Sequence, residues 1–408
     1  MGYTKNAISG FGWQSVLKII SSVVTVAKIF FLARLLSPAD FGLFSLTLIA
    51  LGLTESLTQT GVNVTIIQSR QSIDYFLDTA WVVSIIRGLV IGILMTLLGF
   101  LMGRYYSEPQ LVFLVAVASL VPIIKGFINP AIVSLYKDLK FFHDSLYRLS
   151  LVLVESVLAI IIAFFLHSVF ALILAVIGSA IFEVAISFIF FKSRPRLAYT
   201  DSRGKEIINN AKWLSPAALL NYLNENADDF ILGKIVGLHS LGIYHNAYAL
   251  SHKVNYDVAK SIYHGTFPIL TKIAHKTERI NQAFKKSFLV TLIIGVLGSL
   301  PVILFPGLVV KILLGEQWLE ATHLVVPLTI AGLIQSLSLC TYGYFIARKM
   351  YRIVNLHLVA TLILMAIAII ILGKWQGLFG AVVGITLSRL ITLPIVGWGV
   401  WKNVSNNQ

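Results

Sequence analysis

The sequence predicts an all-α polytopic membrane protein, with about 12 transmembrane helices as two parallel six-helix repeats around a central cavity. Three observations predict this fold class: the composition, a series of apolar stretches of spanning length, and an internal repeat. Of the 408 residues, 57% are hydrophobic and only 12% are charged, and the mean hydropathy is +0.85. A soluble protein of this size would carry about twice that charged fraction.

The apolar stretches give the order of the predicted spans, because a membrane-spanning helix needs about 20 mostly apolar residues. The first stretch is too long for the core of a signal peptide, and we expect it to be retained. The longest polar break, 192–212, separates six spans from six, so the predicted domains are the six-helix bundles 1–200 and 201–408. The predicted spans cover 10–36, 40–68, 77–103, 109–133, 145–167, 169–191, 211–235, 240–268, 286–313, 322–346, 353–373 and 376–401.

The distribution of Lys and Arg predicts the orientation of these spans. With a cytoplasmic N-terminus, 20 of the 32 basic residues fall in inner loops and tails, 5 fall on the outer side and the rest lie inside spans. We therefore expect both termini in the cytoplasm. Because each half has six spans, the two halves have the same orientation, as in a repeat about an axis along the membrane normal.

The internal repeat has an offset of 200 residues. The stretches Phe31–Phe44, FLARLLSPADFGLF, and Phe230–Tyr244, FILGKIVGLHSLGIY, share an apolar helix end, a short turn and a new helix start. In the first stretch, Ser37 is the predicted N-cap and Asp40 the acid of a capping box. The residues that match at this offset are Trp13 and Trp213, Arg34 and Lys234, Gly42 and Gly242, and Phe44 and Tyr244.

Four of the predicted spans carry polar side chains on one helical face, since the polar residues recur at intervals of three and four. A water-filled cavity between the two halves would satisfy all four polar faces. These residues are Gln14, Lys18, Ser21, Thr25 and Lys28 in span one; Glu55, Gln59 and Asn63 in span two; Asn221, Asn224, Glu225 and Asp228 in span seven; and His245, Tyr248, His252, Asn255, Tyr256 and Lys260 in span eight.

Polar faces also arise from contacts between helices, and this alternative applies in particular to single charges. Lys28 then pairs with an acid, and Glu155 and Glu183 have structural partners. Lys125 and Arg389 are expected to extend to the membrane interface, whereas Arg87 lies near the middle of its span. The glycine pairs Gly88/Gly92, Gly99/Gly103 and Gly380/Gly384 have the spacing of close helix packing, within or between chains.

The opening of the chain resembles the Wzx-type oligosaccharide flippases, the polysaccharide-biosynthesis branch of the multidrug/oligosaccharidyl-lipid/polysaccharide exporter superfamily. The residues that carry the resemblance are the Gly10 and Trp13 entry, the turn from Ala33 to Gly42, Gly61-Val62 with Ile67-Gln68, Leu241-Gly242-Ile243-Tyr244, and Phe267-Pro268. The resemblance implies two six-helix bundles around a central cavity that is lined mainly by helices 1, 2, 7 and 8.

The same resemblance implies a function in surface polysaccharide assembly, such as export of O-antigen or exopolysaccharide. Such proteins move undecaprenyl-pyrophosphate-linked glycans from the cytoplasmic to the outer leaflet of the bacterial plasma membrane. The expected partners are therefore the polyprenyl-pyrophosphate-linked glycan, membrane lipids and the polysaccharide polymerase machinery. The net charge of +14 then reflects cytoplasmic loops and an anionic substrate, and no nucleic acid is expected.

Ionisable residues inside a membrane are functional hypotheses by default. We expect Lys18, Lys28 and Arg87 to hold the pyrophosphate or an acidic sugar, because cations attract phosphate strongly in a low dielectric. Further candidates for the substrate cavity are Gln14, Glu55, Gln59, His252, Tyr256 and Lys260. The group Asn224, Glu225, Asp228 and Asp229 is a candidate site for a coupling H⁺ or Na⁺. Alternatively, Asp228 forms a gating ion pair with Lys28, its equivalent in the repeat.

Several chemical motifs are absent from the sequence. The single cysteine, Cys340, excludes an intramolecular disulfide, and no Cys and His residues have metal-ligand spacing. There is also no Gly-x-x-x-x-Gly-Lys-[Ser/Thr] phosphate loop and no nucleophile motif. We expect no enzyme, no catalytic residue, no metal and no cofactor. The alternatives are a drug or cation antiporter of the same superfamily and a membrane-embedded glycan polymerase.

Overall fold

The computed structural model describes residues 2–57, 62–69, 71–138 and 140–405; side chains are described for most of these, beginning at Leu17. The chain divides into two compact units, Met1–Asn226 and Ala227–Gln408. Ordered structure in the described residues is helical, as the composition predicts.

The first unit contains nine helices and the first part of a tenth, within the described residues. They are α1 (Gly2–Leu35), α2 (Pro38–Leu57), α3 (Val62–Gln68), α4 (Ile73–Tyr106), α5 (Pro109–Ala118), α6 (Leu120–Lys125), α7 (Ser134–Lys137, after a 3₁₀ turn at Pro130–Val133), α8 (Phe141–Leu166), α9 (Phe170–Phe190) and α10 (Asp201–Ile235). The middle of α10 contacts α2, where the Tyr222 hydroxyl donates a hydrogen bond to the Ile49 carbonyl over 3.2 Å.

The second unit begins inside α10 and continues with six further helices of the described chain. These are α11 (Gly237–Leu250), α12 (His252–Lys272), α13 (Thr277–Leu304), α14 (Pro306–Leu313), α15 (Thr322–Ala347, after a 3₁₀ turn at Glu316–Ala321) and α16 (Tyr351–Ser405). Helix α16 is broken at Gln376 and Gly377, where Gly377 has a φ of +63°. A side chain is strained at such a φ, so glycine suits this turn between the predicted spans 353–373 and 376–401.

The protein is a multi-pass membrane protein. Seven helices of the described residues are long and apolar enough to cross a membrane. An eighth span is present if the bent pair Pro109–Lys125 and Pro130–Lys137, which turns by 73°, is one crossing. The predicted number of 12 spans stays a prediction.

The capping box at the start of α2 is confirmed. The Ser37 amide donates to the Asp40 carboxylate over 3.0 Å, and the Asp40 amide donates to the Ser37 hydroxyl over 3.3 Å. The second oxygen of the Asp40 carboxylate accepts a hydrogen bond from the Val169 amide over 3.0 Å. This turn is therefore fixed both by its own residues and by the connection between α8 and α9.

The glycines of α4 bring this helix close to α5 and α6. A Cβ on Gly88 would lie 2.5 Å from the Pro122 carbonyl oxygen, and a Cβ on Gly92 would lie 2.7 Å from Ile123. Gly99 and Gly103 face Val115 and Val112 in the same way. The predicted close packing is confirmed, and it lies within one chain.

Candidate functional site

A polar cavity of about 480 Å³ lies within the first unit. Its walls come from α2, α3 and α4, from the bent segment between α6 and α7, and from α8 and α9. Two of the predicted substrate residues, Glu55 on α2 and Arg87 on α4, line it together. A guanidinium nitrogen of Arg87 contacts the Glu55 carbonyl oxygen at 3.4 Å.

The bend between α6 and α7 creates this cavity. Proline at 122 and 130 interrupts regular helical hydrogen bonding, and Pro122 and Pro130 both line the cavity. Close packing of Gly88 against the Pro122 carbonyl holds α4 against the bend. Irregular backbone at membrane depth is stable where it is surrounded by protein or lines a polar cavity.

Three basic and three acidic side chains line the cavity: Arg87, Lys125 and Arg148, and Glu55, Asp144 and Glu183. The Arg148 guanidinium donates to the Asp144 carboxylate over 2.9 Å. The Lys125 ammonium lies 4.0 Å from the Glu183 carboxylate, which also accepts a hydrogen bond from the Tyr147 hydroxyl over 3.2 Å. The formal charges of this lining cancel, and the cavity presents donors and acceptors side by side.

Lys125 lines the cavity and faces Glu183, and its expected extension to the membrane interface stays a prediction. The same contact confirms that Glu183 has a structural partner. Its side chain is 17% exposed, whereas that of Lys125 is 41% exposed, so the ammonium lies at the more open part of the cavity.

Lys28 has a partner in another helix of the same unit. Its ammonium lies 2.8 Å from the Glu155 carboxylate, and the two side chains are 20% and 31% exposed. This ion pair joins α1 to α8 and confirms that Glu155 has a structural partner. In this structure Lys28 therefore has an acidic partner other than the predicted gate residue, Asp228.

Three predicted residues of the substrate cavity fall outside what the structure describes. Gln59 lies outside the described residues, and the side chains of Gln14 and Lys18 lie outside the described side chains. Their predicted roles stay predictions.

The predicted acidic group of span seven lies near the end of α10, where Asn224 and Glu225 belong to the first unit and Asp228 and Asp229 to the second. Asp228 is 3% exposed and accepts a hydrogen bond from the Tyr244 hydroxyl of α11. Asp229 is also buried, and its carboxylate lies 3.6 Å from His245. Their neighbours Asn224 and Glu225 are half-buried and exposed, respectively.

The predicted polar residues of span eight lie on both sides of the break between α11 and α12. The rings of Tyr248 and His252 stack at 4.2 Å, and the His252 and Tyr256 rings are nearly parallel at 6.2 Å. The Lys260 ammonium lies 5.7 Å from the centre of the Tyr256 ring. His252, Tyr256 and Lys260 therefore follow one another along a single face of α12.

The expectation that Arg389 extends to the interface is wrong. Arg389 on α16 is only 8% exposed, and its guanidinium contacts the His252 ring and donates to the Ala331 carbonyl over 3.2 Å. Helix α15 permits this packing because Gly332 lies against the His252 backbone, 2.8 Å from where a Cβ would be. Arg389 is buried because α12 and α15 of the second unit cover it.

Sequence reasoning missed the contribution of α8 to the first-unit cavity. It assigned the charges around Arg148 to a cytoplasmic loop, but α8 begins at Phe141 and carries Asp144, Tyr147 and Arg148 into the lining. The signal that predicts this face is their spacing of three and four residues, which places the three side chains on one side of a helix.

Comparison with known proteins identifies the family. The family model described as "Polysaccharide biosynthesis protein" matches residues 31–323, more than half of the chain. The chain belongs to this polysaccharide biosynthesis family. The family match covers the cavity-lining helices of the first unit and extends through α14 of the second.

Relatives of known name confirm the resemblance to Wzx-type proteins. The chain is 24% identical to the lipopolysaccharide biosynthesis protein WzxC of Escherichia coli K12, over 96% of this chain and 80% of WzxC. It is 22% identical to the teichuronic acid biosynthesis protein TuaB of Bacillus subtilis, over 82% of this chain and 70% of TuaB. The succinoglycan biosynthesis transport protein ExoT of Rhizobium meliloti is 21% identical, over 78% of this chain and 64% of ExoT.

Solved structures show the same fold. The lipid II flippase MurJ in an inward closed conformation superposes with a TM-score of 0.76 at 13% identity, over 95% of this chain and 87% of MurJ. An inward-facing multidrug transporter of the MATE family superposes with a TM-score of 0.73 at 14% identity, over 97% of this chain and 98% of that chain. This member of the polysaccharide biosynthesis family therefore has the all-α fold of the superfamily predicted from its sequence.

Proposed function

We propose that this protein is a flippase that moves an undecaprenyl-pyrophosphate-linked oligosaccharide across the bacterial plasma membrane for surface polysaccharide assembly. The observation that carries the proposal is the charged cavity of about 480 Å³ inside the first unit of a polysaccharide biosynthesis protein. A glycan is rich in hydroxyl groups, and such a cavity offers these groups both hydrogen-bond donors and hydrogen-bond acceptors. The names of WzxC, TuaB and ExoT support a substrate of this class.

The proposed mechanism is alternating access of the two helical units, which open the substrate site to one side of the membrane and then to the other. The glycan and its phosphates are polar and must be kept out of the hydrocarbon, whereas the polyprenyl chain is as apolar as the lipid tails around it. The protein therefore carries the head group while the lipid chain stays in the bilayer. No covalent bond changes, so we propose a transporter and no enzyme.

Of the three predicted partners of the pyrophosphate, we propose Lys18 and Lys28; the third, Arg87, lines the first-unit cavity with three carboxylates and is not assigned to the pyrophosphate. Both lysines belong to α1, and their spacing predicts that they share its polar face. The Lys28 ammonium is already held by Glu155, so substrate binding at Lys28 requires this carboxylate to share or release it. Replacement of each lysine by Ala at unchanged membrane abundance tests the assignment. Export that is unchanged in both variants would contradict it.

The proposed coupling ion is H⁺ or Na⁺, with the acids Asp228 and Asp229 as its site. Both carboxylates are buried, and an acid buried in a membrane protein is a functional candidate because its burial costs energy. A gating pair of Lys28 with Asp228 is the alternative. Exchange of the two charges, Lys28→Asp with Asp228→Lys, restores export lost in the single variants if the residues pair, and absence of restoration would argue against the gate.

The proposed location is the plasma membrane of a bacterium, with both termini in the cytoplasm. The excess of Lys and Arg in the loops of one side supports this orientation. A cysteine placed after Lys402 in a Cys340→Ser background is then labelled by a membrane-impermeant thiol reagent only in opened cells. In the cell, we propose that the exported glycan is passed to a polysaccharide polymerase.

Deletion of the gene in its host tests the proposed function. The expected result is accumulation of the polyprenyl-linked glycan in the cytoplasmic leaflet with loss of surface polymer, both reversed by the wild-type gene. The matched control is the complementing gene with Asp201→Asn, which alters an exposed ion pair with Lys205. Normal surface glycan in a host without a redundant homologue would overturn the proposal. Efflux of cationic drugs would then favour the antiporter whose fold the MATE structures share.

A further inference from the structure

We propose that the cavity of the first unit is the subsite for one uncharged sugar residue of the transported glycan. This inference rests on the proposed function and names the part of the substrate that the cavity holds. Two observations carry it: the exact balance of charge in the lining and the position of the cavity at the bend between α6 and α7.

The charge balance argues against an isolated phosphate group as the ligand. Arg148 is bonded to Asp144 at 2.9 Å, and Lys125 faces Glu183 at 4.0 Å. A pyrophosphate in this cavity would meet three carboxylates as well as three cations. Binding of pyrophosphate would require separation of these ion pairs in a low dielectric. The carboxylates that lose their cationic partners would then repel it.

A sugar hydroxyl fits the same groups without breaking their balance. Each hydroxyl can donate to a carboxylate and accept from an ammonium or guanidinium group at the same time. The gap of 4.0 Å between Lys125 and Glu183 is longer than a hydrogen bond, so a hydroxyl placed between them bonds to both. Hydrogen bonds to charged groups are the stronger kind, which suits binding in competition with water.

The remaining lining suits the apolar face of a sugar ring. Tyr136 and Tyr147 line the cavity along with Ile91, Ile132 and Leu151. A pyranose presents C–H groups on one face and hydroxyls at its edge, which matches aromatic and aliphatic side chains beside charged ones. The cavity volume of about 480 Å³ lies in the range of small-molecule sites.

The charged side chains of the lining differ in exposure, as expected of a site that a ligand enters and leaves. The side chains of Arg148 and Lys125 are 70% and 41% exposed, whereas those of Asp144 and Glu183 are 10% and 17% exposed. The acids therefore form the inner part of the site and the two cations its outer part.

Saturation-transfer difference NMR on the purified full-length protein in nanodiscs tests the assignment, because it detects weakly bound sugars. The probes are the methyl glycosides of glucose, galactose, mannose and N-acetylglucosamine, the corresponding free sugars, glucuronate and inorganic pyrophosphate. We expect signals from at least one neutral methyl glycoside, and no displacement of it by pyrophosphate. Absence of signal from every neutral glycoside, or displacement by pyrophosphate, would overturn the proposal.

Variants place the binding in this cavity. Glu183→Gln is expected to weaken binding of the glycoside about tenfold, since it removes a charged acceptor. Tyr147→Phe removes only the hydroxyl that contacts Glu183 and is the milder second variant. Asp201→Asn, in the same unit but in an exposed ion pair, is the matched control and leaves binding unchanged. Equal binding by all three folded variants would overturn the assignment to this cavity.

The design separates this proposal from the proposed function. Soluble glycosides bind without translocation, so a binding failure in a protein whose deletion still abolishes surface polymer would overturn the subsite alone. A sugar residue within a glycan has no free reducing end, and neither has a methyl glycoside. Binding of methyl glycosides therefore supports the transported glycan as the source of the bound sugar. Binding of free sugars alone would identify a site for a cytoplasmic sugar and overturn the link to the glycan.

Discussion

The Lys28 ammonium and the Glu155 carboxylate are 2.8 Å apart and form an ion pair between α1 and α8. The residues are separated by 127 positions in the sequence. Each side chain is less than a third exposed, so water compensates only part of either charge if the other is removed. The pair therefore contributes to the packing of α1 against α8.

Lys28→Met is expected to lower the apparent melting temperature, because it leaves the Glu155 carboxylate without this partner at a cost of about 1–3 kcal/mol. The double variant Lys28→Met with Glu155→Gln recovers stability, since both charges are removed. Thermal unfolding in nanodiscs measures the effect, and Lys205→Met, in an exposed pair, is the control with no change. If Lys28 also binds pyrophosphate, the stable double variant still lacks export; restored export would leave Lys28 with a packing role alone.

Asp40→Ala is expected to cost more stability than Ser37→Ala. The Asp40 carboxylate caps the Ser37 amide and also accepts from the Val169 amide, so its loss removes two contacts at a cost of about 1–2 kcal/mol. Melting temperature and membrane abundance are the measurements. Asp138→Ala, in an exposed ion pair with Lys140, is the control. Equal effects of Asp40→Ala and Ser37→Ala would show that the Val169 contact contributes nothing.

Gly88→Ala is expected to destabilise the first unit by about 1–3 kcal/mol, because the new methyl group would lie 2.5 Å from the Pro122 carbonyl oxygen. Backbone atoms must move to relieve this clash, and the cavity wall moves with them, so export also falls. Gly397→Ala is the matched control, since nothing lies within 4 Å of a Cβ there. Similar melting temperatures for both variants would contradict the close packing of α4 on α6.

Tyr244→Phe is expected to destabilise the second unit by about 1–3 kcal/mol, because it removes the hydroxyl that donates to the buried Asp228 carboxylate. Tyr351→Phe, at a side chain that is 53% exposed, is the control. If Asp228 also binds the coupling ion, export by Tyr244→Phe shows an altered dependence on Na⁺ or pH at equal abundance. An unchanged melting temperature would contradict the structural role of this hydrogen bond.

Residues that act locally were predictable from the sequence. The capping box of Ser37 and Asp40 depends on residues three positions apart, and the structure has it as predicted. The glycines of α4 were also predicted to allow close helix contact, although the sequence left open whether the partner was in the same chain. Arg87 was identified as a mid-span charge, and the structure brings it to the cavity beside Glu55.

Residues whose environment depends on distant helices were not predictable. Arg389 was expected at the interface, because its helix alone does not show that α12 and α15 cover it. The contact of Lys125 with Glu183 was not predicted, because these residues are far apart in the sequence. Asp144 fell outside the predicted span, which began only at residue 145, and Arg148 was counted among the charges of the inner side, whereas α8 begins at Phe141.

The sequence by itself determined the class of fold, the membrane location and the family resemblance, because hydropathy, helix caps and turn motifs depend on neighbouring residues. Tertiary structure decided which charges meet. The partners Lys28 and Glu155, and Tyr147 and Glu183, are 127 and 36 residues apart, so no local pattern encodes their contact. The bend between α6 and α7 and the glycines of α4 shape the cavity at which Tyr147 and Glu183 meet, and its neutral balance of charge exists only after the helices have packed.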